Sequence, residues 1–392
     1  MKKKIIFITK ALWIGGIETA LANLLKQFDY ERYDVTLLVL KAELDMLPQI
    51  DPRCRVIILD RDSVVTAAEP YRHSRLFHLT EESGSPSRFH QMMMWSVPAI
   101  RWAENRLYIR YVRDFMKAES FDTAIIYSDV AGEIGVRSVR AKQYFMYYHH
   151  GAMRRVYHDD VAYRVCRKII VVSEALAEKL CAFRPEYADK ITAVNNLLDI
   201  DGVIRKSLER PAIAFPDNGF HVVSCGRVSP EKGMDLAAEA CARLLSEGIQ
   251  NLHWWIVGGG SAEGEVRNLV QNLGIENQFH LLGMQENPYP YIRRADLYVQ
   301  PSRFEGHSVT ILEARLLAKP ILATHAAAHE QIEDGVTGML CETDSASIAN
   351  GVRLLYENPE CRAAFSKALE RHNFHADNAA SLAALYQYIE ER

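Results

Sequence analysis

Two glutamates stand eight residues apart in the run Pro301–Ala314, on either side of a predicted helix start. Glu305 follows a short apolar run, Ser308 can cap the next helix, and Glu313 lies about one and a half turns inside it. The free N–H groups and positive dipole end of a helix N-terminus suit a phosphate. Flanking carboxylates suit hydroxyl groups, one set on a ribose and one on a sugar. The alternative is a solvated Glu313 and a Glu305 that only caps the helix.

A second candidate site is the turn Cys225–Gly233, which lies between a predicted strand and a predicted helix. Such turns lie at the carboxyl edge of a parallel sheet, where α/β proteins bind their ligands. Arg227 offers a bidentate guanidinium and Lys232 a point charge, the pair that a diphosphate needs. The alternative is a pair of surface cations beside a proline-containing turn.

Three glycines, Gly258 to Gly260, form a third candidate because they also follow a predicted strand. Glycines let a backbone approach a nucleotide or a phosphate closely. The dinucleotide-binding fingerprint does not fit, since the next glycine, Gly264, comes one position too late. This spacing argues against an NAD dehydrogenase, and a plain glycine-rich turn is an equally good interpretation.

Short apolar runs alternate with helix-period segments along the whole chain, which predicts an α/β protein with parallel sheets. This alternation of strand and helix patterns is weaker around Asn195–Pro216, where prolines cluster, and resumes after it. We therefore expect two doubly wound halves joined by a linker near residues 200–215. Leu382, Leu385, Tyr386 and Ile389 recur at helical spacing and predict an amphipathic terminal helix. The strands expected in the first half are Lys4–Thr9, Val35–Leu40, Val56–Leu59, Thr123–Tyr127, Gln143–Tyr148, Lys168–Val172 and Ile191–Val194, and those in the second half are Phe220–Cys225, His253–Val257, Phe279–Leu281, Leu297–Gln300 and Pro320–Ala323.

The composition agrees with two globular domains and excludes several classes of protein. The 392 residues are 48% hydrophobic and 24% charged, unlike disordered, collagenous or coiled-coil chains. The formal net charge of −4 divides into +4 on residues 1–205 and −8 on residues 206–392. We expect the two halves to face different partners, and the basic half carries too little charge to bind nucleic acid.

The cysteines and the N-terminus indicate a cytoplasmic protein. Seven dispersed cysteines without metal-like spacing are typical of reduced thiols. The first apolar run stops at Thr9 and Lys10, too early for a signal peptide. No stretch approaches the roughly 18–20 apolar residues that span a bilayer.

One segment, residues 84–118, could place the protein on a membrane surface. It holds six basic and two acidic residues, interleaved with aromatic residues and methionines. A basic aromatic helix can lie in a lipid interface with its cations on anionic headgroups. The alternative is a domain helix with core aromatics and a solvated basic face.

These motifs together resemble the retaining GT-B glycosyltransferases of family 4, also called glycosyl transferases group 1. The order of Gly-Arg…Lys-Gly, Val-Gly-Gly-Gly, Ser-Arg-x-Glu-Gly…Leu-Glu-Ala, Lys-Pro and Asp-Gly-x-Thr-Gly carries the resemblance in the second half. In the first half, Trp13–Glu18 resembles the family's glycine-rich acceptor-side loop, and Tyr148–Gly151 its strand-end histidine. The resemblance covers nearly the whole chain and is weakest over residues 41–120.

The resemblance implies a fold of two Rossmann-like, doubly wound domains that face a central cleft. Residues 1–205 would be the acceptor-side domain, residues 206–370 the nucleotide-sugar-binding domain, and residues 371–392 a terminal helix that crosses back to the first domain. The implied enzyme is a metal-independent, retaining hexosyl- or N-acetylhexosaminyltransferase without a cofactor. Its donor would be a UDP- or GDP-linked sugar and its acceptor a glycan or a lipid-linked glycan, in cell-surface polysaccharide biosynthesis. The protein would be cytoplasmic, with residues 88–117 at the inner face of the membrane.

The resemblance also implies roles for individual residues. Arg227 and Lys232 would hold the donor diphosphate, and His150 would lie near the anomeric carbon. Glu305 would hold the donor sugar and Glu313 the ribose. The other donor-binding residues implied are Gly15, Gly16, Gly258, Gly306, His307, Ser308 and Val309.

Departures from the family pattern lie beside the expected sugar. His307, Ser308 and Thr310 stand where the family often has an aromatic or small residue, a glycine and a proline. Ala326, Ala327 and Ala328 stand where glycines are common. These changes bear on the identity of the donor sugar. The choice of His150 over His149 rests on the glycine that follows it.

Three other functions remain open at this stage. A metal-dependent GT-A transferase needs an Asp-x-Asp motif to hold its metal ion. Both Asp60–Asp62 and Asp199–Asp201 match this motif in sequence. A GT-B sugar-nucleotide epimerase would have the same fold and ligand. A catalytically silent GT-B subunit would only bind a partner, although four charged residues at the expected donor site argue against it.

Overall fold

The chain folds into two parallel sheets, each with its own hydrophobic core. The structure, a computed structural model, describes residues 2–59, 105–128, 131–151, 153 and 159–391. Both sheets have helices on their faces, so the predicted α/β class with doubly wound parallel sheets is confirmed.

Over the ranges that the structure describes, the first sheet has seven parallel strands in the order β3-β2-β1-β4-β5-β6-β7. An inner strand of this sheet is buried on both faces, and its residues Ile5 to Ile8 are fully buried. Continuous apolar runs of this kind are typical of parallel strands covered by helices on both sides. The strands are β1 Lys3–Thr9, β2 Tyr33–Val39, β3 Arg55–Ile58, β4 Phe121–Ile126, β5 Ala141–Tyr148, β6 Lys168–Val171 and β7 Ile191–Ala193.

The second sheet has six parallel strands in the order β10-β9-β8-β11-β12-β13. In both sheets the chain starts near the middle, moves to one edge and then returns to the other side, which creates a switch point where ligands bind. The strands are β8 Phe220–Cys225, β9 Leu252–Val257, β10 Phe279–Leu281, β11 Leu297–Gln300, β12 Ile321–Thr324 and β13 Met339–Cys341.

Helices connect the strands and cover both sheets. Those before β8 are Gly16–Gln27, residues 105–116, Gly132–Ser138, Asp160–Val165, Glu174–Phe183 and Ile200–Ser207. Those after β8 are Met234–Ser246, Glu263–Leu273, Tyr289–Arg294, Val309–Leu316, His325–Ala328, Ser345–Glu357, Pro359–Glu370 and Phe374–Glu390. Single 3-10 turns occur at Leu47–Gln49, Pro185–Tyr187 and Pro230–Lys232.

The segment between the two sheets differs from the expected linker, because it contains the helix Ile200–Ser207. The Asp199 carboxylate caps this helix by accepting from the Gly202 N–H at 3.2 Å, and it also pairs with Lys26 at 2.7 Å. Val203 is buried among residues of the second core. The second aspartate motif considered above therefore begins with a capping residue, while Asp60–Asp62 lies outside the described residues.

The terminal helix Phe374–Glu390 packs on the first sheet although it follows the second in sequence. Leu385 and Ile389 are buried in the first core. At the end of the helix, the Glu390 carboxylate accepts from the Tyr33 hydroxyl at 2.8 Å and pairs with Lys3 at 2.5 Å. The helix therefore ties the end of the chain to the first two strands.

The helix at residues 105–116 carries the described part of the basic aromatic segment, and residues 84–104 lie outside the described ranges. Tyr108 is fully buried and its hydroxyl donates to the Leu40 carbonyl at 2.6 Å, so this aromatic belongs to the core. Leu107 and Phe115, in contrast, are 59% and 53% exposed. Nowhere in the described ranges is there a helix with the length and apolarity needed to cross a membrane.

Candidate active site

An ion pair between Lys232 and Glu305 lies where the carboxyl ends of β8 and β11 meet. The Lys232 Nζ lies 2.6 and 2.8 Å from the two Glu305 carboxylate oxygens. The two side chains are 22% and 11% exposed, so the pair is largely removed from solvent. Lys232 is the last residue of the turn Pro230–Lys232. Gly233 caps this turn in the left-handed conformation, with φ +67°. The structure therefore brings together two residues that are distant in sequence.

A chain of hydrogen bonds fixes the Glu305 carboxylate. Oε1 accepts from the Ser302 hydroxyl at 2.8 Å and from the Gln300 amide at 3.3 Å. Gln300 in turn accepts from the Tyr298 hydroxyl at 2.6 Å. Gln300 and Ser302 are fully buried, and Tyr298 is too. Because buried donors hold the carboxylate in one orientation, it presents a preorganised acceptor at the strand end.

Glu313 lies on the helix Val309–Leu316 and is 4% exposed. Its carboxylate accepts a hydrogen bond from the Tyr289 hydroxyl at 3.0 Å. Burial raises the pKa of the Glu313 carboxyl to about 7, while the Tyr289 hydrogen bond and the charge of Lys206 act in the opposite direction. A carboxyl with this pKa can accept hydrogen bonds from ligand hydroxyls near neutral pH.

We expect Glu313→Gln to become progressively more stable than the wild type as the pH rises from 5 to 8.5. The folded state binds a proton on Glu313 more tightly than the unfolded state, because the folded pKa is about 7 and the ordinary pKa of a glutamate is 4.5. That stabilisation is fully present below pH 4.5 and is lost as the pH rises through 7, on the order of 3 kcal/mol in all. Thermal melts across this range measure the effect. Glu263→Gln, at an exposed ion pair, is the control, and parallel curves for wild type and Glu313→Gln would contradict the assignment.

The loop after β1 approaches the turn after β8. A Cβ atom built on Gly15 would lie 3.7 Å from the Arg227 Nη2 and 2.6 Å from the Glu18 carboxylate. Gly16, the first residue of the helix Gly16–Gln27, is exposed. Burial raises the pKa of Glu18, against the lowering effects of its own backbone N–H, Arg227 and Lys10. The position of Arg227 is thus compatible with the prediction that Gly15 lies close to the donor.

The two adjacent histidines after β5 have different surroundings. The His149 ring is stacked on Tyr147, and its Nε2 lies 3.0 Å from the Tyr127 carbonyl. Burial lowers the pKa of His149 to about 3, so its ring is neutral at physiological pH. Burial also lowers the pKa of His150, Arg227 lowers it further and Glu231 opposes the change. His150 is half-buried, and the charge of Arg227 is close enough to lower the pKa of its ring.

The loops after β5 and β11 touch through their backbones. A Cβ on Gly151 would lie 2.3 Å from the Glu305 carbonyl oxygen, and a Cβ on Gly306 would lie 2.4 Å from the His149 carbonyl oxygen. These two contacts leave no room for a side chain at either position. The carboxyl edges of the two sheets therefore face each other, and Gly151, Glu305 and Gly306 lie at that junction.

The residues after Gly306 are held by the second half of the chain. The Ser308 hydroxyl caps the helix by accepting from the Ile311 N–H at 3.4 Å. The Ser308 backbone N–H is already engaged, since it donates to the Gln331 amide oxygen at 2.9 Å. Val309 is buried at the start of the helix. Ser308 thus fits its predicted capping role, while its contact with a donor stays a prediction.

Among the described residues, the buried Nδ1 of the His307 ring has no hydrogen-bond partner. Burial lowers the pKa of His307 to about 4, and the neighbouring Arg315 lowers it as well. The ring is therefore neutral at physiological pH. The His307 backbone carbonyl accepts from the Asn196 side chain at 3.2 Å, a further contact between the two halves.

Gly258 lies against the turn after β8. A Cβ at this position would lie 2.0 Å from the Gly226 carbonyl oxygen, and φ is +143°. The Gly258 N–H donates to the Gly283 carbonyl at 2.9 Å. A close approach between protein loops thus explains this glycine, and its contact with a donor stays a prediction.

Sequence reasoning missed several residues that shape the site. Tyr289 and Gln300 are the partners of the two glutamates, and Gln331 holds the backbone beside them. Their separation in sequence hides these contacts. One feature of the sequence could have identified Gln300 as a site residue, because it is a polar residue at the end of an otherwise apolar strand. Across the described ranges, no group of three or more His, Cys, Asp or Glu side chains is arranged to hold a metal ion.

Solved structures of glycosyltransferases share this architecture over their whole length. The chain superposes on Anabaena HepE in complex with UDP and glucose with a TM-score of 0.69, 18% identity and coverage of 98% of this chain and 99% of that one. It superposes on the pneumococcal O-GlcNAc transferase GtfA in complex with UDP and GlcNAc with a TM-score of 0.71, 14% identity and full coverage of both. The two facing sheets therefore define a GT-B fold.

In sequence, residues 205–372 match the family model of the glycosyl transferases group 1. A Campylobacter jejuni N-acetylgalactosamine-N,N'-diacetylbacillosaminyl-diphospho-undecaprenol 4-alpha-N-acetylgalactosaminyltransferase is 29% identical over 45% of this chain and 47% of its own length. A lipopolysaccharide core biosynthesis mannosyltransferase of Rhizobium leguminosarum is 31% identical over 44% and 52%. The chain spans about half the length of these curated relatives.

Proposed function

We propose that this chain is a retaining, metal-independent glycosyltransferase of the GT-B fold. It moves a hexosyl or N-acetylhexosaminyl group from a UDP- or GDP-linked sugar to a glycan or lipid-linked acceptor in cell-surface polysaccharide biosynthesis. The Lys232–Glu305 pair carries this proposal, because it joins a cation and a fixed carboxylate at the edge where the two sheets meet. Glu313, one and a half turns into the next helix, supplies the second carboxylate.

In the proposed reaction the bond between the anomeric carbon and the diphosphate oxygen breaks. The acceptor approaches the anomeric carbon from the same face of the sugar as the leaving diphosphate. The acceptor oxygen forms the new bond, and its proton passes to the leaving phosphate. Arg227 and Lys232 stabilise the charge that develops on that phosphate, an electrostatic effect that is strong in a cleft with little water. An ammonium group has three donors, so Lys232 can bind a phosphate oxygen while it keeps both contacts with Glu305.

The remaining residues would orient the donor. We propose that the Glu305 carboxylate binds the hydroxyl groups of the donor sugar and that the Glu313 carboxylate binds those of the ribose. His150 would lie beside the anomeric carbon, in its neutral form because burial lowers the pKa of its ring. Gly15 and Gly16 would lie against the phosphates and the acceptor, which the short distance between Gly15 and Arg227 supports.

The comparisons support the classes of donor and acceptor. HepE and GtfA were solved with UDP, and their sugars are glucose and GlcNAc. The Campylobacter relative is named for an undecaprenol-linked substrate and an N-acetylhexosaminyl transfer. The Rhizobium relative is named for mannosyl transfer in lipopolysaccharide core biosynthesis. We therefore propose UDP- or GDP-linked sugars as donors and lipid-linked glycans as acceptors.

We propose that residues 1–205 form the acceptor-side domain, residues 206–370 the donor-side domain and residues 371–392 a terminal helix that joins them. The packing of Leu385 and Ile389 in the first core supports the last assignment. The boundary near residue 205 falls within the helix Ile200–Ser207, which packs against helices of the second half.

A thermal-shift panel of UDP-, GDP- and ADP-sugars in EDTA tests the donor assignment. We expect one nucleotide class to raise the Tm by at least about 5 °C at one hundred times its Kd, because selective binding stabilises the folded state. Lys232→Ala should lose most of that shift. No shift with any nucleotide, or a shift that EDTA abolishes, would contradict the proposal. Conversion of the bound sugar to its epimer without an acceptor would instead favour the sugar-nucleotide epimerase.

We further propose that the basic segment, residues 88–117, binds the anionic inner face of the cytoplasmic membrane. Its described part supports this, because Arg106, Arg110, Arg113 and Lys117 recur at spacings of four, three and four residues and are exposed. Such spacing places them on one stripe of the helix. Exposed Leu107 lies beside that stripe.

Charge reversal of Arg106, Arg110 and Arg113 to Glu is expected to lower co-sedimentation with vesicles that contain phosphatidylglycerol by several fold. Each basic residue near an anionic surface contributes about 1 kcal/mol. The matched control reverses three surface cations of the second half, the exposed Arg267 and Lys367 and the half-exposed Arg353, and should bind like the wild type. Equal binding by the wild type and the first variant would contradict the membrane proposal.

A further inference from the structure

The turn that carries Lys232 is held in place by Arg303, which lies two residues before Glu305. The Arg303 backbone N–H donates to the Glu231 carbonyl at 2.7 Å, and its guanidinium Nη1 donates to the Pro230 carbonyl at 2.6 Å. The two carbonyl groups that precede Lys232 are therefore both bound by one residue.

The same guanidinium forms a bidentate pair with Asp235, in the first turn of the following helix. Its Nη1 and Nη2 lie 2.9 and 2.6 Å from the two Asp235 carboxylate oxygens. A planar fork of this kind defines distance and orientation together, which a lysine cannot do. Arg303 thus contacts the cation-bearing turn both before and after Lys232.

Backbone packing brings the two loops together at the same place. A Cβ on Gly233 would lie 2.1 Å from the Pro301 carbonyl oxygen, so the turn and the loop after β11 are in direct contact. In sequence, Arg303 lies between Pro301, which makes that contact, and Glu305, which pairs with Lys232. Any shift of the turn along the loop would therefore change the separation of Lys232 from Glu305.

We propose that Arg303 is a positioning residue that sets the location of the Lys232 ammonium for the donor diphosphate, with Asp235 as its anchor. The inference rests on the proposed function, since it assigns Arg303 to the same donor site. Arg303 and Asp235 are 36% and 40% exposed, and exposed ion pairs contribute little to global stability. The geometry of the fork therefore matters more for the site than for the fold.

A double-mutant cycle with Arg303→Met and Lys232→Ala tests the inference. The affinity for UDP, or for GDP if the donor panel selects it, is measured by calorimetry for the four proteins. We expect Arg303→Met to weaken binding roughly tenfold in the wild-type background, and by less than about twofold when Lys232 is already absent. In the transfer assay, Arg303→Met should lower kcat more than it changes the donor KM, because Lys232 acts mainly on the leaving group.

Arg353→Met is the matched control, since Arg353 also bonds a carboxylate and a second acceptor and is 40% exposed. It should leave UDP affinity unchanged. Equal losses from Arg303→Met in both backgrounds, or a fall in Tm with normal kcat and KM, would overturn the positioning role and leave the proposed function intact. Failure of the wild type to bind any nucleoside diphosphate would contradict the proposed function itself.

Discussion

Replacing Lys232 with alanine is expected to lower the rate of glycosyl transfer by roughly 10²–10³-fold. The substitution removes the cation that stabilises the leaving diphosphate, and losing one preorganised electrostatic donor has an effect of this size. It also leaves the Glu305 carboxylate without its charged partner, although Ser302 and Gln300 still donate to it. Release of the nucleotide from the donor identified by the panel, measured with and without acceptor, gives the rate.

A suitable control is Lys142→Ala, which also removes a lysine from an ion pair. Lys142 lies 2.6 Å from Asp122, and its side chain is 81% exposed on the first half of the chain. We expect this variant to transfer sugar at the wild-type rate. A Lys232→Ala protein that folds normally and keeps its full rate would exclude Lys232 from catalysis.

Gly306→Ala is expected to reduce transfer by about 100-fold with a much smaller change in thermal stability. The added methyl group would lie 2.4 Å from the His149 carbonyl oxygen, so the loops after β5 and β11 must move apart. That movement separates His150 from Glu305, and displacements of about 1 Å at a reacting centre reduce rates by this order. Transfer assays combined with thermal melts separate the two effects.

Gly264→Ala provides the comparison, because a Cβ at Gly264 meets nothing within 4 Å. It lies in the helix Glu263–Leu273, where alanine is favoured over glycine, and should raise stability by about 0.5–1 kcal/mol without changing the rate. Wild-type transfer by Gly306→Ala would show that the contact between the two loops is not needed for the reaction.

The strands were the most predictable part of the fold. Phe220–Cys225, Phe279–Leu281 and Leu297–Gln300 have the predicted limits, because continuous apolar runs bounded by polar turns are typical of parallel strands. The last strand, Met339–Cys341, was not predicted. It has three half-buried residues and lies at the edge of its sheet, so burial gives it no long apolar run.

The helix Ile200–Ser207 is another element that the sequence does not predict, for a different reason. Its neighbouring prolines and polar residues indicated an irregular segment, while its stability comes from packing against the second half. Such tertiary contacts override local propensity and are invisible in a single sequence. The Asp199 cap was the only local signal.

The residue types of the candidate site are easier to predict than its geometry. The two glutamates and two cations are predicted as site residues because they lie next to strand ends, and parallel strands present their carboxyl ends along one edge. The direct pairing of Lys232 with Glu305 spans 73 residues of sequence, and only the fold reveals it. The raised pKa of Glu313 likewise depends on burial, which a capping motif does not report.

The two histidines show the same limit of sequence reasoning. Both follow the same strand and precede a glycine within two residues. The structure separates them, since His149 is stacked in the core against Tyr147 while His150 interacts electrostatically with Arg227. The functional assignment of His150 stays a prediction.

A crystal structure with the selected donor nucleotide, grown in EDTA, tests the central claim most directly. The account predicts diphosphate oxygens within hydrogen-bond distance of the Arg227 guanidinium and the Lys232 Nζ, and ribose hydroxyls on the Glu313 carboxylate. A nucleotide bound away from the junction of the two sheets, or one that contacts none of these three side chains, would contradict it.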